Sequence, residues 1–100
     1  MNNLAKLAAA GNQRHVTGTT AKTGLRAYAI EILVDDTDFD VLTETKELDS
    51  STTQNRLTVT NGLSAINLPK GHIVYPSTGY YFSAFTLGDA ADSVAYYNLD

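Results

Sequence analysis

Hydrophobic residues alternate with other residues at every second position along much of the chain, beginning near residue 26. In the run RAYAIEILV (residues 26–34), Tyr28, Ile30 and Ile32 fall on one face of an extended chain, and the intervening residues fall on the other. A period of two is typical of a β-strand, because successive side chains of a strand point to opposite faces. The pattern therefore predicts a strand over residues 26–34.

Shorter patterns of the same kind recur along the chain and are separated by turn residues. Further strands are predicted at 39–42, 56–60, 66–68, 73–75, 80–87 and 94–97. The polar stretch 44–54 predicts a loop. Turns are predicted at Asn61-Gly62, Pro69–Gly71, 76–79 and 88–92, because Gly, Pro and Asn adopt the backbone angles that turns require. About six or seven short strands with regular turns predict an all-β fold, a small antiparallel sandwich or barrel.

The N-terminal quarter of the chain lacks this alternation. Asparagines, an apolar run and a glycine predict a short helix at 3–10. Residues 11–24 contain one bulky apolar residue, Val16, and predict an extended arm. The predicted organisation is an N-terminal arm over residues 1–25 and an all-β body over residues 26–100.

The two parts carry opposite charge, although the net charge of the chain is only −4. The arm contains three basic residues and no acidic one, whereas the body contains four basic and eleven acidic residues. A basic arm suits an acidic partner surface, and the acidic body disfavours direct contact with nucleic acid. The predicted partner-binding residues of the arm are Leu4, Lys6, Leu7, Arg14 and Lys22.

The composition excludes several classes of protein. The chain has no cysteine, which excludes disulfide-rich secreted domains and thiolate zinc sites. No apolar run approaches the roughly 20 residues of a membrane span, and no signal-peptide core is present. We therefore expect no membrane partner and a location in the cytoplasm or in a particle assembled there.

No constellation typical of an enzyme is present. The two histidines are His15, in the arm, and His72, beside a predicted turn, and no G-x-S-x-G motif accompanies them. The segment GTTAKTG (residues 18–24) is faintly similar to a phosphate-binding loop, but Val16 and Ala21 stand at the two positions where that loop needs glycine. The sequence therefore predicts a protein that is not an enzyme and has no cofactor.

One acidic segment is similar to a calcium-binding loop. Asp36, Asp38, Asp40 and Glu47 occupy the first, third, fifth and twelfth positions of an EF-hand loop. Val41 stands where that loop requires glycine, and the flanking residues predict strands rather than helices. We expect Asp35, Asp36 and Asp38 to cap a turn and solvate an edge of the sheet, and a looser cation site remains the alternative.

Six tyrosines in a small domain favour oligomerisation. Two adjacent pairs, Tyr80-Tyr81 and Tyr96-Tyr97, lie in predicted strands, where neighbouring side chains point to opposite faces. A body of this size buries only a modest core, and tyrosine is enriched at protein interfaces. The four tyrosines are therefore predicted interface residues of a homo-oligomer.

Three elements of the body resemble a group of small phage structural proteins encoded beside capsid genes. In that group the elements are an Asp-Thr-x-Phe turn, a Leu-Pro-x-Gly turn before an Ile-x-Tyr strand, and a Phe-Thr-x-Leu strand followed by a Ser-Gly turn and Val-Ile-Ala-Tyr. The matching residues are Asp36, Thr37, Phe39, Leu68, Pro69, Gly71, Ile73, Tyr75, Phe85, Leu87, Val94, Ala95 and Tyr96. The resemblance covers about residues 26–98, but the arm has no counterpart, and the turn GDAAD replaces a tight Ser-Gly turn.

The resemblance implies a virion component, specifically a capsid decoration (cement) protein or a head fibre, commonly trimeric. Its partners would be the major capsid protein and further copies of itself, in a particle assembled in the host cytoplasm. Arms lying across neighbouring capsid subunits would resist their separation. A tail or adaptor component remains open, and so does a small β-barrel that binds a ligand or a cation.

Overall fold

The computed structural model describes residues 13–58 and 66–98, and all regular structure in them is β-strand. The strands are β1 (Gln13–Thr17), β2 (Ala27–Ile32), β3 (Phe39–Lys46), β4 (Asp49–Asn55), β5 (Ile73–Val74), β6 (Tyr80–Leu87) and β7 (Ser93–Asn98). They form one antiparallel sheet in the order β1-β7-β2-β6-β3-β4, with β5 paired to β2. The predicted all-β antiparallel fold of six to seven short strands is confirmed.

One main hydrophobic core lies inside this sheet. Buried apolar residues from β1, β2, β3, β5, β6 and β7 belong to a single cluster. Because β1 and β3 are far apart in the strand order, the sheet must curve to bring both to this cluster. Phe85 packs edge-on against two other rings, with centroids 6.0 Å from Phe39 and 5.5 Å from Tyr96. The inner faces of the strands thus surround an aromatic centre.

The chain between β1 and β2 joins the two halves of the sheet. The Lys22 amide donates to the Phe85 carbonyl and the Phe85 amide donates to the Lys22 carbonyl, both at 2.9 Å. The Leu25 amide then donates to the Ser83 carbonyl at 3.0 Å, and Ala27 is the residue of β2 that pairs with β6. Beyond Ala27, β2 pairs with β7. The same segment therefore pairs first with β6 and then with β7.

A bulge at this junction changes which face Tyr28 occupies. Ala27 pairs with Asn98 and Ala29 pairs with Tyr97, so Tyr28 is an extra residue in β2 that has no partner residue on β7. The sequence predicts that Tyr28 shares a face with the buried isoleucines of this strand. Tyr28 packs instead with Ala29 and Tyr97 in a second, smaller cluster, because the extra residue interrupts the alternation.

The predicted extended arm is wrong for residues 13–17, which form strand β1. This strand pairs with β7 over its whole length, and Val16 is buried in the main core. Its other residues are exposed, so a strand with one buried side chain gives no periodic signal in the sequence. Residues 1–12, including the predicted helix at 3–10, lie outside the described residues.

The predicted loop at 44–54 is also wrong. Strand β3 continues to Lys46, and β4 pairs with it at the end of the strand order. Strand β4 has no buried residue, so its Ser and Thr side chains meet solvent and no apolar alternation marks it. The predicted strand at 56–60 is a turn over residues 56–58, where the Thr58 amide donates to the Asn55 carbonyl.

Strand β4 is irregular where it leaves β3. Thr45 pairs with Thr53 but Lys46 pairs with Asp49, so residues 50–52 have no counterpart on β3. The Asp49 carboxylate accepts hydrogen bonds from the amide and hydroxyl of Ser51 and from the Thr52 hydroxyl. This carboxylate therefore holds the irregular half of the edge strand.

Several predicted turns are confirmed. The His72 amide donates to the Pro69 carbonyl at 3.1 Å, and Gly71 has a φ of 90°. Proline is the first residue of this turn rather than its first central residue, and glycine supplies the positive φ. In the predicted strand 66–68, only Leu68 pairs, through an isolated bridge to Thr37. The predicted Asn61-Gly62 hairpin lies outside the described residues.

Candidate functional site

A groove of about 250 Å³ opens between the start of β2, the β3–β4 turn and the segment that enters β6. Its lining combines aromatic rings, small polar residues and one carboxylate. The lining residues are Tyr28, Glu47, Tyr75, Pro76, Ser77, Thr78, Gly79 and Tyr80. The Tyr75 ring is 46% exposed, which is high for a large aromatic side chain in a folded domain. We refer to this feature as the aromatic groove.

A tight turn forms one wall of the aromatic groove. The Tyr80 amide donates to the Ser77 carbonyl at 2.9 Å, and Gly79 has a φ of 83°. This φ suits the second central position of a type II turn, where glycine is favoured because it lacks a Cβ atom. The Gly79 carbonyl accepts from the Glu47 amide at 2.9 Å. The turn is thereby tied to the β3–β4 connection that carries the Glu47 carboxylate.

A buried carboxylate braces the same turn from below. Glu44, on β3, is fully buried and accepts a hydrogen bond from the Ser77 amide at 2.7 Å. Its other oxygen accepts from the Gln54 side chain at 2.7 Å, and the Arg56 Nε atom lies 3.7 Å from the carboxylate. A buried carboxylate is tolerated when donors and an opposite charge surround it. Glu44 therefore fixes the groove wall from within the sheet.

The Tyr28 hydroxyl lies between a basic and an acidic side chain at the rim of the groove. Burial raises the pKa of Tyr28, and its hydrogen bond to the Glu47 carboxylate raises that pKa further. Arg26 Nε donates to the Tyr28 oxygen at 3.2 Å and opposes this shift. The Arg26 guanidinium lies 5.3 Å from the centre of the Tyr81 ring, outside the groove lining.

The polar groups of the aromatic groove determine what it can bind. Glu47 is the titratable carboxylate of its lining, and Ser77 and Thr78 contribute hydroxyl groups. The lining has no histidine that could activate these hydroxyls as nucleophiles. Aromatic rings with a nearby carboxylate present a surface that attracts cations.

Three carboxylates meet at the opposite end of β3. Asp38 precedes this strand, and Asp89 and Asp92 lie in the turn between β6 and β7. One oxygen of each lies within 4.8 Å of the others. The Asp92 carboxylate accepts from the Asp89 amide at 3.1 Å and from the Asp38 amide at 3.4 Å. The Asp38 Oδ1 atom is buried without a hydrogen-bond donor.

This crowding favours the neutral form of one carboxyl group. Burial raises the pKa of Asp38, and the neighbouring carboxylates of Asp92, Asp89 and Asp40 raise it further. Gly88 makes the close packing feasible, since a Cβ atom there would collide with the Asp38 carboxylate. Within residues 13–58 and 66–98, these three aspartates are the group whose geometry could hold a metal ion.

The residues of the predicted calcium loop are dispersed in the structure. Asp38 joins the cluster with Asp89 and Asp92, whereas Asp36 and Asp40 are exposed outside it. Asp36 has a φ of 61° in the turn before β3. Glu47 lies at the other end of β3, in the aromatic groove. Because β3 is extended, it separates carboxylates that a calcium loop would bring together.

Two of the five predicted partner-binding residues, Arg14 and Lys22, lie in the described part of the chain. Leu4, Lys6 and Leu7 lie outside the described residues. Arg14 is exposed on β1, and the Lys22 backbone is paired with β6.

The predicted interface tyrosines fall into two groups. Tyr96 and Tyr97 point to opposite faces of β7 and are buried within the chain, at 7% and 5% exposure. Their strand lies between β1 and β2, and both side chains are covered there without a partner chain. Tyr80 and Tyr81 are half-buried, and Tyr80 lines the aromatic groove.

The sequence interpretation missed several residues of the aromatic groove and of the aspartate cluster. Glu44 lies two residues after the buried Leu42 in β3, so the period of two places it on the buried face. Its polar neighbours in the sequence hide this signal. Tyr75 adjoins a predicted turn but belongs to no tyrosine pair. Asp89 and Asp92 were part of a predicted turn, and only the sheet pairing brings them to Asp38.

The part of the chain that the structure describes contains no helix long and apolar enough to cross a membrane. No protein-family model matches this chain, and neither a curated protein nor a solved structure shows significant similarity to it.

Proposed function

We propose that this chain is a structural component of a phage particle, a capsid decoration protein that stabilises the head by holding neighbouring capsid subunits together. The observation that supports the proposal is the position of the residues that resemble small phage structural proteins. They come from three distant stretches of the sequence and contact one another in the core.

Two contacts join the three stretches. The first joins Thr37 to Leu68: the amide of each donates to the carbonyl of the other, at 3.2 Å and 2.8 Å. The second is the pair of edge-to-face ring contacts that Phe85 makes with Phe39 and Tyr96. The residues that carry the resemblance therefore contribute to the core of the body. They support a similarity in fold to the small phage structural proteins more than a similarity in any binding site.

The clamping mechanism needs an adjustment because β1 belongs to the sheet. The segment left to reach a neighbouring subunit is residues 1–12, which would span at most about 40 Å when extended. It carries Leu4, Lys6 and Leu7, which would provide an apolar and basic contact. A homotrimer would multiply weak contacts of this kind by avidity.

Deletion of residues 1–12 tests the role of this segment. We expect the truncated protein to remain folded and to bind undecorated phage heads far more weakly than the full chain in co-sedimentation. Leu4→Asp with Leu7→Asp should reproduce much of the loss. Binding at full stoichiometry and wild-type affinity would contradict the role of the segment. A deletion of residues 1–24 is a poor test, because it removes β1 and exposes one edge of β7.

Stoichiometry tests the decoration role itself. Mass spectrometry of purified particles should find hundreds of copies per head. About a dozen copies would favour the alternative of a tail or adaptor component, and absence from the particle would contradict a virion location.

The aromatic groove favours a second candidate from another class, a small β-protein that binds a ligand or a cation. Sedimentation at micromolar concentration helps to distinguish the two. A trimer is expected for the decoration protein, whereas a stable monomer of about 11 kDa is expected for a free binding domain.

A further inference from the structure

We propose that the aromatic groove binds the side chain of a lysine on a protein partner, with its methylene groups and ammonium among the tyrosine rings and the Glu47 carboxylate as its counter-charge. The inference rests on the groove itself and does not depend on a virion location.

The size of the aromatic groove limits its occupant. Pockets for drug-sized molecules and cofactors usually enclose about 300–1,000 Å³. This groove encloses about 250 Å³ and is open to solvent. It therefore admits one extended side chain, whereas a nucleotide or a comparable cofactor would remain mostly outside it.

The chemistry of the lining selects a cation with an apolar stem. Tyr28, Tyr75 and Tyr80 supply aromatic rings, and Pro76 adds an apolar surface. The face of an aromatic ring attracts ammonium and guanidinium groups, and the attraction grows when the contact is partly shielded from water. A lysine side chain combines four methylene groups with such a charge. Anions are disfavoured by Glu47.

The negative charge of the groove is not fully met by the nearest basic residue. Arg26 donates to the Tyr28 hydroxyl, and its guanidinium lies over Tyr81. Arg26 therefore approaches Tyr28 from outside the lining, from where it attracts Glu47, while the exposed Glu47 side chain itself borders the space of the groove. The compact ammonium of lysine fits this space better than a second planar guanidinium would.

The groove is organised before any ligand arrives. The Glu44 carboxylate holds the Ser77 amide at 2.7 Å, and the Glu47 amide donates to the Gly79 carbonyl at 2.9 Å. A wall fixed in this way loses little conformational freedom on binding, which reduces the cost of association. A shallow groove of this kind would still give weak binding to a single lysine, so NMR titration is the suitable measurement.

The test is a titration of ¹⁵N-labelled full-length protein with Nα-acetyl-lysine-N-methylamide. We expect saturable shifts of the Thr78, Gly79 and Tyr80 amides. The uncharged isostere Nα-acetyl-norleucine-N-methylamide should produce no saturable shift. Equal binding of both compounds, or shifts that never saturate, would overturn the proposal.

Two variants assign the interaction to individual groups. Glu47→Gln and Tyr75→Ala should each weaken binding by about two- to fivefold, the range expected for an exposed cation contact. Both side chains are exposed, so thermal unfolding should change little. Arg26→Met should strengthen binding, because it removes a competing positive charge. Unchanged affinity in both Glu47→Gln and Tyr75→Ala would mean that the groove is not the site.

Two further probes identify the source of the cation. Capped arginine, Nα-acetyl-arginine-N-methylamide, should bind more weakly than capped lysine, and so should cadaverine, which lacks a peptide backbone. Tighter binding of cadaverine would assign the groove to a free diamine, and tighter binding of arginine would assign it to a guanidinium. Either result would overturn the lysine assignment.

Discussion

Two carboxylates at opposite ends of the same strand show what decides whether a buried acid stabilises this fold. Glu44 is fully buried and receives hydrogen bonds from Ser77 and Gln54, with Arg56 3.7 Å away. Asp38 is only partly buried, but its Oδ1 atom has no donor and two further carboxylates lie beside it. The more deeply buried group is the better compensated one.

The difference indicates that partners matter more than depth. Removing a charge from water costs several kcal/mol, and donors or an opposite charge must offset that cost. Around Glu44 they do, and the carboxylate links β3 to the wall of the aromatic groove. Around Asp38 the neighbours have the same sign, so its proton is held more tightly than in an ordinary aspartate. The following changes should break or sharpen this contrast.

Glu44→Ala should have the largest effect. It leaves the Ser77 amide and the Gln54 side chain without their acceptor and removes the negative charge beside Arg56. We expect a loss of about 3–5 kcal/mol in the free energy of unfolding. Glu44→Gln keeps the shape and one acceptor oxygen and should lose about 1–3 kcal/mol. Urea denaturation measures both. Glu47→Ala is the control, since this exposed carboxylate should contribute less than about 0.5 kcal/mol.

Gly88→Ala should be the next most damaging change. The new methyl group would collide with the Asp38 carboxylate in the present geometry. We expect a loss of about 1–3 kcal/mol from this overpacking. Asp38→Ala should restore most of it, because it removes the atoms that collide. Strict additivity of the two substitutions would show that the methyl group and the carboxylate do not compete for one space.

Asp38→Asn should stabilise the protein by about 0.5 kcal/mol at neutral pH, because it removes a charge repelled by like charges. The folded state raises the pKa of Asp38, so it holds the proton more tightly than the unfolded state does. Wild-type stability relative to the variant should therefore improve as the pH falls through that raised pKa. Thermal unfolding of both proteins at pH 7 and at about pH 4 measures this gap, and a constant gap would contradict it.

The smallest effect distinguishes two aspartates by titration alone. Three donors, from Ser51 and Thr52, hold the pKa of exposed Asp49 below its usual value. Carbon-detected NMR titration should place Asp49 below an ordinary aspartate and Asp38 above it. Thr52→Val and Ser51→Ala should each raise the pKa of Asp49 towards the ordinary value. In both variants the pKa of Asp49 should still lie below that of Asp38.

The sequence predicted strands wherever one face is buried and regularly apolar. The strand at 80–87 has the predicted bounds, because Phe82, Phe85 and Leu87 contribute to the core and turn residues flank the strand. Strands β1 and β4 were missed for the same physical reason. They are edge strands with one buried side chain or none, so their pairing depends on backbone hydrogen bonds that leave no hydrophobic pattern.

The candidate site was harder to predict than the fold. The sequence shows that two pairs of tyrosines are adjacent. It does not show which face of each strand is buried in the folded chain. Tyr75 and Tyr28 approach the groove because β5 pairs with β2 and because a bulge redirects Tyr28. The partners of Glu44 lie 10 and 33 residues away in the chain, a separation that local patterns do not register.

The place of β7 in the strand order has a consequence for how the chain folds. Strands β1 and β2 both pair with β7, and Gln13 lies opposite Tyr97. Neither pairing can begin until β7 has left the ribosome, so β1 and β2 must wait for the last of these seven strands to be synthesised. Contacts between such distant residues slow folding. Until these contacts form, the edge of β2 that pairs with β7 is open to other chains. We expect refolding in milliseconds to seconds, with yields that fall as protein concentration rises.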